Sequence, residues 1–187
     1  MKPLIESFGE IAKLSKEAET LFMDSVVKKD FKKKHRLEEE GKVCNHLYFI
    51  EKGVARTFYY RNGKDVTYWL AAENDFVGSM GSFFSRSPSN KHVETLEDCT
   101  LWIFDYDKLE KLYSNSKELE RMGRLFVSYG MTVLEQKFDD FHAMTAKERY
   151  DVIVKKHPAI LQRVSLGIIA SYLGISQETL SRIRTLK

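Results

Sequence analysis

Cysteine is scarce in this sequence. Cys44 and Cys99 are the two among 187 residues, and they share no paired spacing. That argues against a disulfide scaffold, a zinc ribbon or an iron–sulfur cluster held by four cysteines. The five histidines, His35, His46, His92, His142 and His157, are scattered, with no His-x-His pair. A jelly-roll metal enzyme needs clustered His and carboxylate ligands, and they are missing here. No Ser-His-Asp or Cys-His arrangement follows from the spacing either. The expectation is a protein that is not an enzyme and has no metal and no cofactor. Long apolar runs are also lacking, so no segment is expected to span a bilayer. The first ten residues, MKPLIESFGE, carry charges where a signal peptide has its apolar stretch. A cytoplasmic protein with no membrane partner is expected. Internal repeats and low-complexity segments are absent from the sequence.

What is present is ordinary for a globular chain: 43% hydrophobic and 30% charged residues. The length suffices for one or two small domains with real cores. The net charge of +3 is unevenly placed. Residues 145–187 hold 8 Lys and Arg against 3 Asp and Glu, whereas residues 1–144 hold 22 against 24. A basic C-terminal segment on a slightly acidic body fits a DNA-binding end on a sensor body, and a chance fluctuation of a few charges gives the same figures.

Residues 4–27 read as helix with a break near Ser15, Leu4, Ile5, Phe8, Ile11, Ala12 and Leu14 clustering on one side. The basic run Lys28–Arg36 is followed at once by Glu38–Glu40, which favours a solvated surface over a nucleic-acid or membrane patch. From Leu37 the period changes to that of strands. Leu47–Ile50, Val54–Tyr60, Val66–Leu70 and Leu101–Phe104 are β-rich, with turns at Gly41 and Gly53. Asn62-Gly63 is a strong hairpin signal, because a type I′ turn needs positive φ at both central residues. Short strands at roughly even spacing suggest a sandwich or barrel of jelly-roll type. Within them lies Asp75–Gly81, DFVGSMG, followed by the polar loop Ser85–Lys91. Paired glycines let backbone N–H groups approach a ligand phosphate, although glycines in a β domain are also plain turns.

Asp105 or Asp107 can cap a short helix through Tyr113, and a long helix is expected from about Ser116 to Ala143. The long helix carries two apolar stripes. Leu119, Met122, Phe126, Tyr129 and Val133 form one, and Val127, Met131, Leu134, Phe138 and Phe141 form the other. One stripe can pack on the chain's own β domain, and a second copy of the helix would cover the other; both stripes serving as core of one chain is the competing arrangement. Gly123 and Gly130 weaken the helix locally. Thr145 and Glu148 make a capping box for Ala146–His157, which Pro158 stops.

The stretch Val164–Arg184, VSLGIIASYLGISQETLSRIR, reads as a helix-turn-helix. Leu166, Ile169, Ala170 and Leu173 recur at helical spacing, Gly174 suits a helix exit with positive φ, Ile175 plugs the corner, and Ser176 is a good N-cap for a second helix. On that helix Leu180, Ile183 and Leu186 fall on one side with Thr179, and Gln177, Glu178, Ser181, Arg182 and Arg184 fall mostly on the other. The polar side holds the side-chain types that read base edges and hold phosphates. A helical hairpin with a solvated charged face shows the same pattern.

The order β-roll, long helix, helix-turn-helix resembles the Crp/Fnr family of bacterial transcription regulators. The resemblance covers nearly the whole chain and is carried by Leu47–Leu70, by Asp75–Phe84 and by Ala170–Arg184. It implies an α+β chain: a β-roll sensor domain of jelly-roll, cyclic-nucleotide-binding-like type with N-terminal helices over 1–115, a dimerisation helix over 116–143, and a helix-turn-helix domain over 144–187. It implies a homodimer on double-stranded DNA with a two-fold symmetric operator, with Ser176, Gln177, Glu178, Ser181, Arg182 and Arg184 at the DNA. An effector pocket would involve Gly78, Ser79, Met80, Gly81, Ser89, Asn90 and Lys91.

The sequence departs from the family pattern in three places. Cyclic-nucleotide binders of the family carry a Glu for the ribose and an Arg-Ser pair for the cyclic phosphate; here the Glu position is Ser79, and the pair falls near Ser89-Asn90. Arg86 and Lys91 are the nearby cations. A small-molecule effector other than cyclic AMP is therefore expected. The cysteine set of the oxygen-sensing members is absent. Three residues follow Arg184, too few for the usual β wing. The competing reading is a module of the same fold that acts through protein contacts and never touches DNA.

Overall fold

The computed structural model describes Leu4 and residues 12–185. Ile5, Phe8 and Ile11 of the expected first helix lie outside the described residues, as do Leu186 and Lys187. The described chain opens on helix α1 (Lys16–Ser25), whose N-cap Ser15 accepts a hydrogen bond from the Ala18 N–H at 3.2 Å. Eight strands follow: β1 (Val27–Phe31), β2 (Arg36–Glu38), β3 (His46–Lys52), β4 (Ala55–Arg61), β5 (Lys64–Ala71), β6 (Phe76–Val77), β7 (His92–Thr95) and β8 (Cys99–Asp105). A short helix α2 (Met80–Ser85) lies between β6 and β7. The strands form two antiparallel four-stranded sheets, ordered β1-β8-β3-β6 and β2-β7-β4-β5.

The alternation of side chains along β3 and β8 explains why their apolar runs are continuous. Tyr48, Ile50, Cys99 and Leu101 face the interior with Ala55, Ala71, Val77 and Val93. Leu47, Phe49, Trp102 and Phe104 face the opposite way, against α1 and the helices that follow the sheet. A sheet covered on both faces shows no polar alternation in its sequence. The Asn62-Gly63 hairpin forms as expected: φ is +52° and +74°, and Arg61 pairs with Lys64 across the two-residue loop.

One expectation is corrected. The basic run does not precede the strands; it begins with one. β1 includes Lys28 and Lys29 and lies at a sheet edge, its residues exposed except for half-buried Phe31. Lysines on an edge strand block pairing with another chain while leaving the inner hydrogen-bond ladder intact. The exposure agrees with the solvated surface expected of the run, whose first part is a strand.

After β8 the chain becomes helical. Asp105 accepts from the Lys108 N–H at 3.0 Å and caps α3 (Tyr106–Asn115). Ser116 caps the 27-residue helix α4 (Lys117–Ala143). The two ends of α4 differ. Leu119 and Met122 are fully buried with α1 and α3, and the Phe126 ring lies 4.7 Å from Phe76. Beyond that point the first stripe packs only in part: Tyr129 is 59% exposed, whereas Val133 is half-buried. The second stripe is more open, with Met131 70% and Phe138 64% exposed, until Phe141, over whose ring Arg149 lies at 4.7 Å. Thr145 and Glu148 form the expected capping box for α5 (Ala146–Lys156), and a short helix α6 (Ile160–Arg163) follows Pro158.

Candidate functional site

The last two helices, α7 (Leu166–Leu173) and α8 (Gln177–Thr185), are joined by a tight turn. Ile169, Ala170 and Leu173 of α7 and Leu180 and Ile183 of α8 are buried. Gly174 ends α7 at φ +71°, and a Cβ there would come within 3.0 Å of the Phe141 ring. Its N–H bonds the carbonyls of Ala170 and Ser171, and the Ile175 N–H bonds Ala170 O at 3.0 Å, so the orphan carbonyls of the helix end are satisfied. Ser176 then accepts from the Thr179 N–H at 3.2 Å and starts α8.

This geometry turns Gln177, Glu178, Ser181, Arg182 and Arg184 outward, all exposed beside exposed Ser176. The Glu178 carboxyl is held below its usual range, first by the Ser176 hydroxyl and then by its place at the helix start. Among the described residues, neither Arg182 nor Arg184 forms an ion pair. The face therefore holds hydrogen-bonding groups of both senses and two guanidinium groups outside any ion pair, Arg182 lying near enough to Glu178 to help hold its carboxyl down.

The helix pair is fixed to the β-roll from behind. The Thr67 N–H of β5 donates to Ser171 Oγ at 2.9 Å. Arg163 reaches two carboxylates of the roll, Glu73 at 2.6 and 2.8 Å and Glu97 at 3.1 Å. Arg163 holds the Glu73 carboxyl down to about 2, and its own basicity is raised in return. Val54, Leu70 and Ala72 of the roll are buried together with Ile153, Ile160, Val164 and Leu180. None of this docking was legible in the sequence, because Glu73, Glu97 and Arg163 look like three unrelated surface charges.

The second expected site, the glycine loop, has a different character. Gly78 sits where a Cβ would meet Leu47 Cδ2 at 2.6 Å, so this glycine serves close packing between strands. Ser79 and Ser89 are both buried, their hydroxyl oxygens 2.8 Å apart. Ser89 Oγ also accepts from the Lys91 N–H at 2.9 Å. Met80 is half-buried, and Gly81 and Asn90 are exposed. Arg86 stacks on the Tyr106 ring at 3.9 Å and donates to Cys44 O at 2.9 Å. Lys91 lies 4.7 Å over the Tyr68 ring and bonds Asn90 Oδ1 at 3.0 Å. The structure brings Ser79, Ser89 and the Lys91 backbone together, and turns Arg86 into a brace between the loop and α3.

A buried cation that the sequence reading missed lies nearby in the second sheet. Arg56 is 5% exposed and bonds Glu94 and Asp65, both at 2.8 to 2.9 Å, and its guanidinium stacks on Phe58 at 4.1 Å. Alternating Arg36, Glu94 and Arg56 at paired register positions is the signal that marks it. No described group of three or more His, Cys, Asp or Glu residues is placed to hold a metal ion. No described helix is long and apolar enough to cross a membrane.

With the geometry in place, the chain can be set beside known proteins. Residues 28–116 match the cyclic nucleotide-binding domain family. No curated protein matches the sequence. The chain is similar in structure to the c-di-GMP responsive global regulator CLP of Xanthomonas campestris, with a TM-score of 0.65, 18% identity, and 90% of this chain and 89% of that one covered. It is similar to the catabolite activator protein of Thermus thermophilus, with a TM-score of 0.60, 16% identity, and 95% and 84% covered. A crp/fnr-family protein of Eubacterium rectale gives a TM-score of 0.69 at 17% identity, with 91% and 82% covered. At these identities the likeness establishes a common fold: a cyclic-nucleotide-binding-type β-roll followed by a long helix and a helical end, shared with regulators of the Crp/Fnr type.

Proposed function

We propose that this chain is a DNA-binding transcription regulator that acts as a homodimer on a two-fold symmetric operator. The observation that carries the reading is the outward face of α8: Gln177, Glu178, Ser181, Arg182 and Arg184 stand exposed on a helix whose other side is anchored by buried Leu180 and Ile183. A helix held this way fits the major groove, with Arg suited to guanine, Gln to adenine and Glu to the cytosine amino group. Ser176 at its start suits a phosphate contact.

The dimer follows from the second half of α4. Val127, Met131, Leu134 and Phe138 recur at spacings of four, three and four and are all more than 40% exposed. That is the seam of a two-stranded coiled coil, and a second α4 matches it by symmetry. Pairing there gives each dimer two copies of α8, which a symmetric operator requires at a separation of about 34 Å. The β-roll is the regulatory unit. Its glycine loop is self-satisfied: Ser79 and Ser89 bond each other and Arg86 braces α3, so no cation there faces a cyclic phosphate. A buried phosphate without a cationic partner is costly. The effector is therefore a molecule other than cyclic AMP.

Sedimentation of the protein with a labelled pool of random duplex DNA tests the proposal. The expected species are a dimer alone and two chains per duplex, with affinity falling steeply as salt rises. A monomer that leaves the duplex unshifted at micromolar concentration would overturn it.

A further inference from the structure

A cavity of about 350 Å³ lies where the three parts of the chain meet. β5 supplies Trp69 and Leu70, α4 supplies Val133 and Lys137, and α5 to α7 supply Ile153 and Tyr172. Asp75, at the start of the glycine stretch, lines it, but Gly78–Gly81 and Ser89–Lys91 do not. Its size falls at the lower end of small-molecule sites. One side is apolar, with Leu70, Val133, Ile153 and Ile160, and the polar side holds Lys137 with Gln136, His157 and the carboxylates of Asp75 and Asp140.

Lys137 is the unusual element. Its Nζ sits 4.1 Å from the Trp69 ring, 4.2 Å from the Tyr172 ring and 5.9 Å from the Tyr68 ring, and donates to Tyr68 O at 3.0 Å. Aromatic faces and one carbonyl hold the ammonium in place. Among the described residues it has no ion pair. The acidic groups nearby are engaged elsewhere: Asp140 accepts from Gln136 Nε2 at 2.8 Å, and Asp75 accepts from the Ala72 N–H at 3.2 Å. Burial pushes the Asp75 carboxyl up, against smaller downward pulls from the Ala72 N–H and from His157. A cation sheltered from water without an anion is costly to a folded protein, and here the burial drops the ammonium to about 7. The site thus combines an apolar chamber with one positioned, unpaired cation.

We propose that this junction cavity is a binding site for a small, largely apolar carboxylic acid, whose carboxylate pairs with Lys137 and whose body lies against Leu70, Val133, Ile153 and Ile160. The acid supplies the negative charge that Lys137 has no protein partner for. Its body would touch the roll, the long helix and the C-terminal helices at once, so binding tightens the seat of α7 and α8 on the roll. Any consequence for DNA rests on the function proposed above; binding itself does not.

The test uses the full chain, with hydrocinnamate and octanoate as probes and their primary amides as controls. Binding is read by calorimetry and by the emission of Trp69 in a Trp102→Phe background. Each acid is expected to bind at least tenfold more tightly than its amide and to raise the melting temperature. Protonated Lys137 is the form that pairs, so affinity should fall as pH rises through about 7. Lys137→Met keeps the packing and removes the charge, and should abolish the difference between acid and amide. Val133→Trp fills the chamber and leaves Lys137 in place, and should block both. A folded wild type that binds neither acid, or Lys137→Met binding the acids as tightly as wild type, would overturn the proposal. DNA binding that survives such a failure, or is lost while acids still bind, separates this site from the regulator reading.

Discussion

The segment 78–91 and the helix α8 hold similar side chains and put them to opposite use. In the β-roll segment, Ser79 meets Ser89, Arg86 meets Cys44 O and the Tyr106 ring, and Lys91 meets Asn90 and Tyr68. On α8, Arg182 and Arg184 form no ion pair among the described residues and are exposed, Arg182 only helping to hold the Glu178 carboxyl down. The two halves of α4 repeat the contrast in apolar form. Leu119 and Met122 are buried within the chain, whereas Met131, Leu134 and Phe138 are exposed. Residue type does not separate structural from functional groups here. Satisfaction does: a group already paired inside the chain stabilises the fold, and an ordered group left unpaired is available to a partner.

The largest effect should come from the apolar half of this contrast. Met122→Ala removes a fully buried side chain and should lower folding stability by about 2–5 kcal/mol. Met131→Ala, at 70% exposure, should change the stability of dilute monomer by less than about 0.5 kcal/mol and weaken self-association. Urea titrations at two protein concentrations measure both. Equal losses for the two variants would erase the difference between the halves of α4.

Leu134→Glu places a charge in the open stripe. It should raise the dimer dissociation constant about 100-fold, equivalent to about 2.7 kcal/mol, with the monomer still folded. Sedimentation velocity with circular dichroism reads both quantities. A fully dimeric Leu134→Glu would move the interface elsewhere.

A smaller effect belongs to Arg163. The folded Glu73 carboxyl lies near 2 against 4.5 for an unperturbed one. The unfolded chain therefore binds the proton first as pH falls, so this contribution is present above about 4.5 and is lost as pH drops toward 2. Glu73 is about a third exposed, which reduces the expected contribution to about 1 kcal/mol. Arg163→Met should lower stability by that amount at pH 7 and flatten the acid limb of the stability curve. An unchanged acid limb would show that the contact does not fix the C-terminal helices to the roll.

The smallest expected signal is none. Calorimetric titration with cyclic AMP and cyclic GMP should show no binding at micromolar concentration, because the cations near the glycine loop are already engaged. A micromolar or tighter dissociation constant would mean that Arg86 leaves Tyr106 to meet the phosphate.

Local signals were legible where the chemistry is local. The capping box at Thr145, the cap at Asp105, the Asn62-Gly63 hairpin and the positive φ at Gly174 each depend on a few adjacent residues, and each is present. β1 was not legible because its edge lysines read only as a solvated surface, nor was β7, whose four residues His92, Val93, Glu94 and Thr95 include a single apolar side chain. The α8 face could be read from its period. The junction could not: Lys137 and Trp69 are 68 positions apart, and only the docking of three elements makes them a site.

The central claim is that the open face of α8 reads DNA. It is tested most directly by selecting duplexes from a random pool with wild type and Arg182→Ala side by side. For wild type, the account predicts a palindrome with half-sites about one helical turn apart. For Arg182→Ala, it predicts the same palindrome relaxed at one position of each half-site, with affinity lower by about 1–3 kcal/mol. A wild type that enriches no sequence, or an Arg182→Ala variant that selects the same sites with the same affinity, would contradict it.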